Sequence, residues 1–377
     1  MRNNFLPAHG GQLRELAVEF NVSEESLIDF SASIHPHPPS DLIVAKLCDA
    51  LRERKILTTY PDMHYTDLKD AIAAYVNVNI STIAIGSGVM PLLGAVLNAL
   101  RPHRCLVPIP AFAEYRKILY ASGTECCPFP LTQNTQFSLD TARVIAELKA
   151  TGAQALLLAN PQSPSGRLMC TKDLLQLQEA AFELGATTIV DEAFIDYAPE
   201  ESLAQSAANS TGLIVLRSLT KFFAMPGLRV AYAVSCQKIR VAMESCVPAW
   251  PVSSIAAEAA RMVLQDRASI TATRETNDRE RRWLSDQLHL LGLCVFPGAA
   301  NYLLIKIDEN RDGAALWRQL IIQHQVVIRS CANFEGLNEH YFRIAVRTRS
   351  ENELLVHALK DVLHFTLKTE SQSGRTR

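Results

Sequence analysis

The sequence predicts an α/β protein: a mostly parallel sheet covered by helices on both faces, followed by a smaller α+β part. Three observations carry that expectation. From about residue 41, short apolar runs alternate with segments of helical periodicity, the pattern of strands buried on both sides. Several of those runs end in glycine or polar residues that have no place in a core. Beyond about residue 255, long amphipathic stretches lead to further short apolar runs.

In chain order, Leu13, Leu16, Ala17 and Phe20 recur at helical spacing and predict a helix over 12–29. Ser31 to Pro39 is rich in Ser, His and Pro, so it reads as an extended loop. Helices are expected at 41–54, 65–77, 89–100, 111–122, 140–150 and 171–184. Strands are expected at Thr82–Ile85, Arg104–Pro108, Ala155–Leu158, Thr188–Val190, Gly212–Leu216 and Val230–Ala233. In the C-terminal part the strand signals are Val295, Tyr302–Ile305, Val326–Ile328 and Phe342–Val346. The division expected is a large domain over 40–260 and a small one from 1–39 and 261–365. The polar residues 366–377 read as a flexible tail.

Composition narrows the class. The chain has 377 residues, 48% hydrophobic and 20% charged, which suffices for a large core and a second lobe. A net charge of −2 supplies no overall field for nucleic acid or an anionic membrane. A local anion pocket needs only a few arginines. The nine cysteines are odd in number and never spaced C-x-x-C, so they read as free thiols in a reducing compartment, with no metal site. The opening MRNNFLPAHGG lacks the apolar core of a signal peptide, and no stretch approaches a membrane span, so a cytoplasmic location is expected.

Ligands of open α/β sheets sit beyond the carboxyl ends of the strands, and four such ends stand out. Gly86-Ser87-Gly88 runs into the helix at Val89; small residues there let backbone N–H groups approach a phosphate, although many ordinary turns also contain glycine. Asn160-Pro161-Gln162-Ser163-Pro164-Ser165-Gly166 follows Leu156-Leu157-Leu158 and reads equally as a Pro-punctuated loop. Asp191-Glu192 follows Ile189-Val190. A buried acid must find a cationic or hydrogen-bonding partner, and Asp191 serves equally well as a helix N-cap. Most specific is Arg217-Ser218-Leu219-Thr220-Lys221-Phe222-Phe223, with Arg229 eight residues after the lysine. Apolar neighbours lower a lysine's pKa and free its amine to form a Schiff base.

Taken together, the order Gly-Ser-Gly, aromatic, Asn-Pro, Asp, Ser-x-x-Lys, Arg resembles the fold-type I pyridoxal-phosphate (PLP) enzymes, the aminotransferase superfamily, over nearly the whole chain. That resemblance implies the aminotransferase fold, with a large α/β/α sandwich and a smaller α+β domain. It implies that Lys221 holds PLP covalently and shuttles protons, that Asp191 pairs with the pyridinium nitrogen, and that Asn160 bonds the ring oxygen. Phe112 would stack on the ring, and Ser87, Gly88, Ser218 and Arg229 would hold the phosphate. Tyr60 looks like the residue that reaches the phosphate from a neighbouring subunit, which implies a homodimer. Arg343 matches the arginine that clamps the substrate carboxylate.

Two branches of the superfamily compete: histidinol-phosphate aminotransferase and threonine-phosphate decarboxylase of cobalamin biosynthesis. Ala8-His9-Gly10-Gly11, Phe112-Ala113-Glu114-Tyr115, Leu216-Arg217-Ser218-Leu219-Thr220-Lys221-Phe222 and Ile328-Arg329-Ser330-Cys331-Ala332-Asn333 resemble the second. Phe194, where many aminotransferases carry a tyrosine, leans the same way. In such chemistry the bond held perpendicular to the ring plane is the one that breaks, so a carboxylate placed there leaves as carbon dioxide. The small phosphorylated amino acid so implied needs a second cationic pocket, for which His9, Arg329 and Arg347 are candidates beside Arg343. His9 reads equally as an exposed N-terminal histidine. The chain departs from the decarboxylase pattern at Ser33 and His35, where asparagines are usual, and at Val89-Met90-Pro91, where a polar helix start is usual. A third reading, a PLP-fold regulator without catalysis, is opposed by the intact Lys221, Asp191, Asn160 and Arg229.

Overall fold

In the computed structural model the backbone of residues 6–373 is described, with side chains for residues 6–363. Two sheets organise these residues. The larger has seven strands in the order β2-β8-β7-β6-β5-β3-β4. These are β2 (Ile83–Gly86), β3 (Arg104–Ile109), β4 (Glu125–Pro130), β5 (Ala155–Ala159), β6 (Thr187–Asp191), β7 (Leu213–Ser218) and β8 (Ala231–Val234). Only β8 runs against its neighbours. The smaller sheet has the order β1-β11-β12-β10-β9. Its strands are β1 (Ile28–Phe30), β9 (Cys294–Val295), β10 (Tyr302–Lys306), β11 (Val326–Ser330) and β12 (Tyr341–Ala345).

The central strands read as unbroken apolar runs because both of their faces are covered. Leu156 and Leu158 of β5 pack into the core on one side, Ala155 and Leu157 into the core on the other. A separate core lies against the smaller sheet, where Leu16, Phe20 and Phe30 meet Trp317, Ile328 and Phe342. The N-terminal segment thus belongs physically with the C-terminal sheet.

Four expectations are corrected. The helix expected over 12–29 is Leu13–Phe20. Asn21 takes a left-handed conformation there (φ 53°) and ends it, and Ile28–Phe30 pairs in parallel with β11. The helix expected at 111–122 is Glu114–Ala121. Strand β4, not foreseen, carries Pro128 and Pro130. Proline cannot donate to a ladder, so it is tolerated only because β4 is the edge of the sheet. The last helix is Arg349–Ser373, which overlaps the tail expected over 366–377; residues 374–377, like 1–5 of the expected small domain, lie outside the described residues.

The parallel strands deliver their carboxyl ends to one edge of the larger sheet. Asp191 closes β6, Ser218 closes β7, and Asn160 follows β5. Because β8 is antiparallel, its amino end arrives at the same edge, with Ala231 opposite Ser218. Arg229, two residues before Ala231, is thereby brought beside the others. Successive residues of a strand face opposite ways, and past Asp191 the next residue, Glu192, turns to an ion cluster. Arg217 bonds Glu192 at 3.3 Å and Asp196, and all three are nearly inaccessible to solvent. Tyr75 adds a hydrogen bond to Asp196 at 2.8 Å.

Removing the cation from this cluster strands two buried carboxylates. Arg217→Leu is therefore expected to cost about 3–5 kcal/mol. Urea unfolding should show a clearly lower midpoint; an unchanged midpoint would mean that Arg217 carries no such role.

Candidate active site

A cavity of about 570 Å³ opens where the edge of the larger sheet meets the smaller sheet. Gly88, Phe112, Asp191, Ser218 and Lys221 reach its wall from one side, and His9, Arg329 and Arg343 from the other.

At its floor, the Asp191 carboxylate is 6% exposed. Its partners are neutral: Tyr115 donates its hydroxyl to Oδ2 at 2.6 Å and Ala193 its N–H to Oδ1 at 2.9 Å. Burial pushes the Asp191 carboxyl above the usual carboxylate range, and the Tyr115 hydrogen bond is the main influence against it. Burial, with Arg343 and Arg229 nearby, pulls the Lys221 amine down to about 8.

Gly88 precedes the helix Val89–Leu100, which no side chain caps. Its backbone (φ 127°) is one that residues with a Cβ rarely adopt, and a Cβ there would lie 3.1 Å from Arg229 Nη2. Ser218 Oγ and Thr220 Oγ1 share a hydrogen bond of 2.7 Å beside them.

Across the cavity, Arg329 of β11 and Arg343 of β12 stand directly opposite in the antiparallel register. Their partners are backbone and neutral groups. Arg329 donates to Pro7 O (3.2 Å), Ala8 O (2.8 Å) and Asn333 Oδ1 (2.7 Å). Arg343 donates to Ser163 Oγ (3.3 Å) and Ser31 O (3.4 Å), while its Nε is buried without a partner. Among the described residues no carboxylate lies within 4.0 Å of either guanidinium. Burial lowers Arg329 to about 10, Arg343 adding to the effect. His9 lies at the mouth, its Nε2 3.0 Å from Glu114 Oε1 and its ring 5.9 Å from that of Phe112.

Not every residue singled out in the sequence reaches this wall. Arg347 does not: it pairs with Glu351 at 2.6 Å and donates to Asp29 O at 3.0 Å, so its guanidinium is engaged elsewhere. Tyr60 is 80% exposed and stacks on Trp250 at 4.4 Å, outside this cavity. Ser87 stands one residue short of the wall. Asn160 lies just behind it, its amide tied to Met169 N at 2.9 Å and Met169 O at 3.1 Å, which leaves one N–H of Nδ2. Of the departures, Ser33 lines the cavity with a buried Oγ that has no partner. Met90 lines it at the helix start, and Pro91 contributes no N–H. His35 lies outside the wall; its backbone N–H donates to Lys221 O at 3.0 Å.

Sequence reasoning assigned no role to Tyr115, Thr220, Glu114 or Ser163. For Tyr115 a signal existed, since it stands one helical turn after Phe112. Nothing in the sequence tied it to an acid 76 positions away.

Comparison with known proteins bears on this arrangement. The family of class I and II aminotransferases matches residues 25–359. The chain belongs to that family. Threonine-phosphate decarboxylase of Salmonella typhimurium is 36% identical over 363 residues, which cover 95% of this chain and 97% of that protein. The crystal structure of histidinol-phosphate aminotransferase from Clostridium acetobutylicum superposes with a TM-score of 0.82 at 26% identity, covering 90% of this chain and 99% of that one. L-threonine-O-3-phosphate decarboxylase from Porphyromonas gingivalis shares the fold, with a TM-score of 0.77 at 23% identity over 89% of this chain and 99% of that one. Like others of its family, this class I and II enzyme uses pyridoxal phosphate.

The cavity fits that cofactor. The space a Cβ at Gly88 would fill, the uncapped helix start and the Arg229 guanidinium make a cradle suited to a phosphate. The buried Asp191, which has only neutral hydrogen-bond partners, suits a protonated ring nitrogen. A lysine with a lowered pKa suits covalent attachment through its amine.

Two outcomes follow. Gly88→Ala combines a strained backbone with a Cβ beside Arg229, so PLP affinity measured by titration of the apo-protein should fall about tenfold or more, a loss of roughly 1–3 kcal/mol. With the Lys221 pKa near 8, the rate of covalent PLP capture should climb about tenfold per pH unit below that value and level off above it. A rate still climbing tenfold per unit at pH 9 would mean an ordinary lysine.

Proposed function

We propose that the protein decarboxylates a phosphorylated amino acid, L-threonine O-3-phosphate, to (R)-1-aminopropan-2-yl phosphate, a step of cobalamin biosynthesis. The observation that carries the reading is the pair Arg329–Arg343, opposed across β11 and β12 without a carboxylate partner among the described residues. Like charges facing each other across a ladder are unfavourable, so an anionic ligand is the natural complement. Threonine phosphate brings two anionic groups, a carboxylate and a phosphate. The 36% identity to the Salmonella typhimurium decarboxylase supports the same substrate.

In this reading Arg343 grips the carboxylate, and Arg329 with His9 takes the phosphate. Ser33 lines the same cavity, its Oγ buried without a partner. Lys221 carries PLP, which supplies an electron sink for the bond broken at the α-carbon. Asp191 would pair with its ring nitrogen, Asn160 would offer its remaining N–H to the ring oxygen, and Phe112 would cover the ring. Gly88, Ser218, Thr220 and Arg229 would hold its phosphate, with Ser87 at the cradle's edge. With the substrate amine in its place on the cofactor, the Lys221 ammonium would donate the proton that replaces carbon dioxide at the α-carbon. Phe194 lies against Tyr302 (4.9 Å, 82°) and offers no hydroxyl to the ring oxygen. The exposed Tyr60, with Leu57 and Met63 also exposed nearby in the chain, is read as reaching the phosphate of a second copy in a homodimer.

Amino transfer from histidinol phosphate is the second reading, favoured by the likeness to the Clostridium acetobutylicum enzyme. Histidinol phosphate carries one anionic group, although its acceptor, 2-oxoglutarate, carries two. The acceptor therefore separates the readings. Incubated with threonine phosphate alone, the purified holoenzyme should release carbon dioxide and the amine. Arg329→Gln and Arg343→Gln should each lower kcat/KM by about tenfold or more, the worth of a hydrogen bond to a charged group. No carbon dioxide, with brisk transfer to 2-oxoglutarate from histidinol phosphate, would sink the decarboxylase reading.

A further inference from the structure

Polar groups hold Arg343 only loosely. Its contacts to Ser163 Oγ and Ser31 O are long, at 3.3 and 3.4 Å, and its Nε is buried without a partner. What lies against the guanidinium is a ring: its central carbon sits over Tyr302, 5.0 Å from the ring centroid. Strand register makes this contact. Tyr302 of β10 stands opposite Ala345 of β12, and Leu304 opposite Arg343. Tyr302 and Arg343 are therefore diagonal neighbours on one face, a spacing that an aromatic and a long side chain can bridge.

The ring is fixed on its other sides. Its hydroxyl donates to Gln162 O at 2.9 Å, in the loop after β5 of the larger sheet. Phe194 meets it edge-on at 4.9 Å and 82°. Tyr302 is fully buried, and burial pushes its phenol above its ordinary pKa, so the ring stays neutral. A neutral aromatic face attracts a guanidinium through its quadrupole, most strongly where water is excluded. A carboxylate in its place would neutralise the cation and compete with an incoming anion. Arg347, outside the cavity, shows that alternative in its pair with Glu351. Arg329, inside it, rests on Phe334 at 5.3 Å, as Arg343 does on Tyr302.

We propose that Tyr302 is a positioning residue whose ring face holds the Arg343 guanidinium in place, charged but not neutralised, for the substrate's carboxylate. The inference rests on the reading that Arg343 takes that carboxylate. Tyr302, with no exposed surface, acts only through Arg343. Its hydroxyl aims the ring, and its π face carries the effect.

The test uses two ligands without an amine, which cannot join the cofactor. One, 3-phosphooxybutanoate, keeps the substrate's carboxylate and phosphate; the other, isopropyl phosphate, keeps the phosphate alone. Titrated into the holoenzyme, the ratio of their Kd values isolates the carboxylate, and wild-type protein should prefer the first. Tyr302→Phe keeps the ring face and should keep the preference. Mono-, di- and trifluorinated phenylalanine at the same position hardly change the ring's shape but weaken its quadrupole step by step. The preference should fall with each fluorine, by about fivefold or more in all, and Tyr302→Leu should lose at least as much. A preference that ignores fluorination overturns the proposal, because packing alone is indifferent to it. An equal loss in Tyr302→Phe and Tyr302→Leu overturns it too, since the hydroxyl would then carry the effect. Arg343→Gln tells the two levels apart. If it keeps the wild-type preference, the reading of Arg343 fails and the proposal with it; if it loses the preference while the fluorinated series stays level, only the role of Tyr302 fails. Should Tyr302→Leu not fold, the fluorinated series decides alone.

Discussion

A carboxylate buried at the carboxyl end of a central parallel strand is the constraint around which this molecule is arranged. Asp191 ends β6, flanked in register by Ala159 of β5 and Leu216 of β7. It is only 6% exposed, and a bare ionised carboxylate there is too costly to persist. Tyr115 and the Ala193 N–H offset part of that cost. On the same wall Lys221 bears the opposite burden, an ammonium disfavoured by burial and by two arginines. An acid raised and an amine lowered over one cavity is the kind of tension found at reactive sites. A ligand with a protonated ring nitrogen and an aldehyde relieves both at once.

The same strand end explains the polar cluster on the far side. Glu192, adjacent to Asp191, turns to Arg217, which also holds Asp196. These charges anchor the sheet edge from behind, so the groups facing the cavity sit on a rigid base. A site built on strand ends and held by such supports keeps its geometry better than one built on loops.

Cations dominate the rest of the cavity, although the whole chain carries a net charge of −2. Arg229 lies beside Gly88, while Arg329 and Arg343 oppose each other on the other side. The N-terminal segment closes the mouth between them. Arg329 holds the Pro7 and Ala8 carbonyls, Gly11 N–H reaches Ser31 Oγ at 2.9 Å, and His9 crosses to Glu114. Gly10 permits this crossing, since a Cβ there would lie 2.1 Å from Ser31 O. The distribution of charge, more than its total, decides what such a cavity attracts.

The alternation of apolar runs and helices was legible in the sequence, and with it the sheet edge where Gly88, Asp191, Ser218 and Lys221 meet, because strand ends and the turns after them are local features. Strand β4 was not legible, since its two prolines read as loop until the edge position that tolerates them is known. Nor was β1, a three-residue strand defined by a partner near the other end of the chain. Among the arginines the sequence offered Arg343 for the carboxylate, and Arg329 and Arg347 for the phosphate. Register and a nearby Glu351 decided that the first two face the cavity and the third does not. The Tyr115–Asp191 bond belongs wholly to tertiary structure. Residue types and short spacings establish which chemistry a chain can perform; which side chains meet depends on pairings between distant segments, and those are set by how the whole core packs.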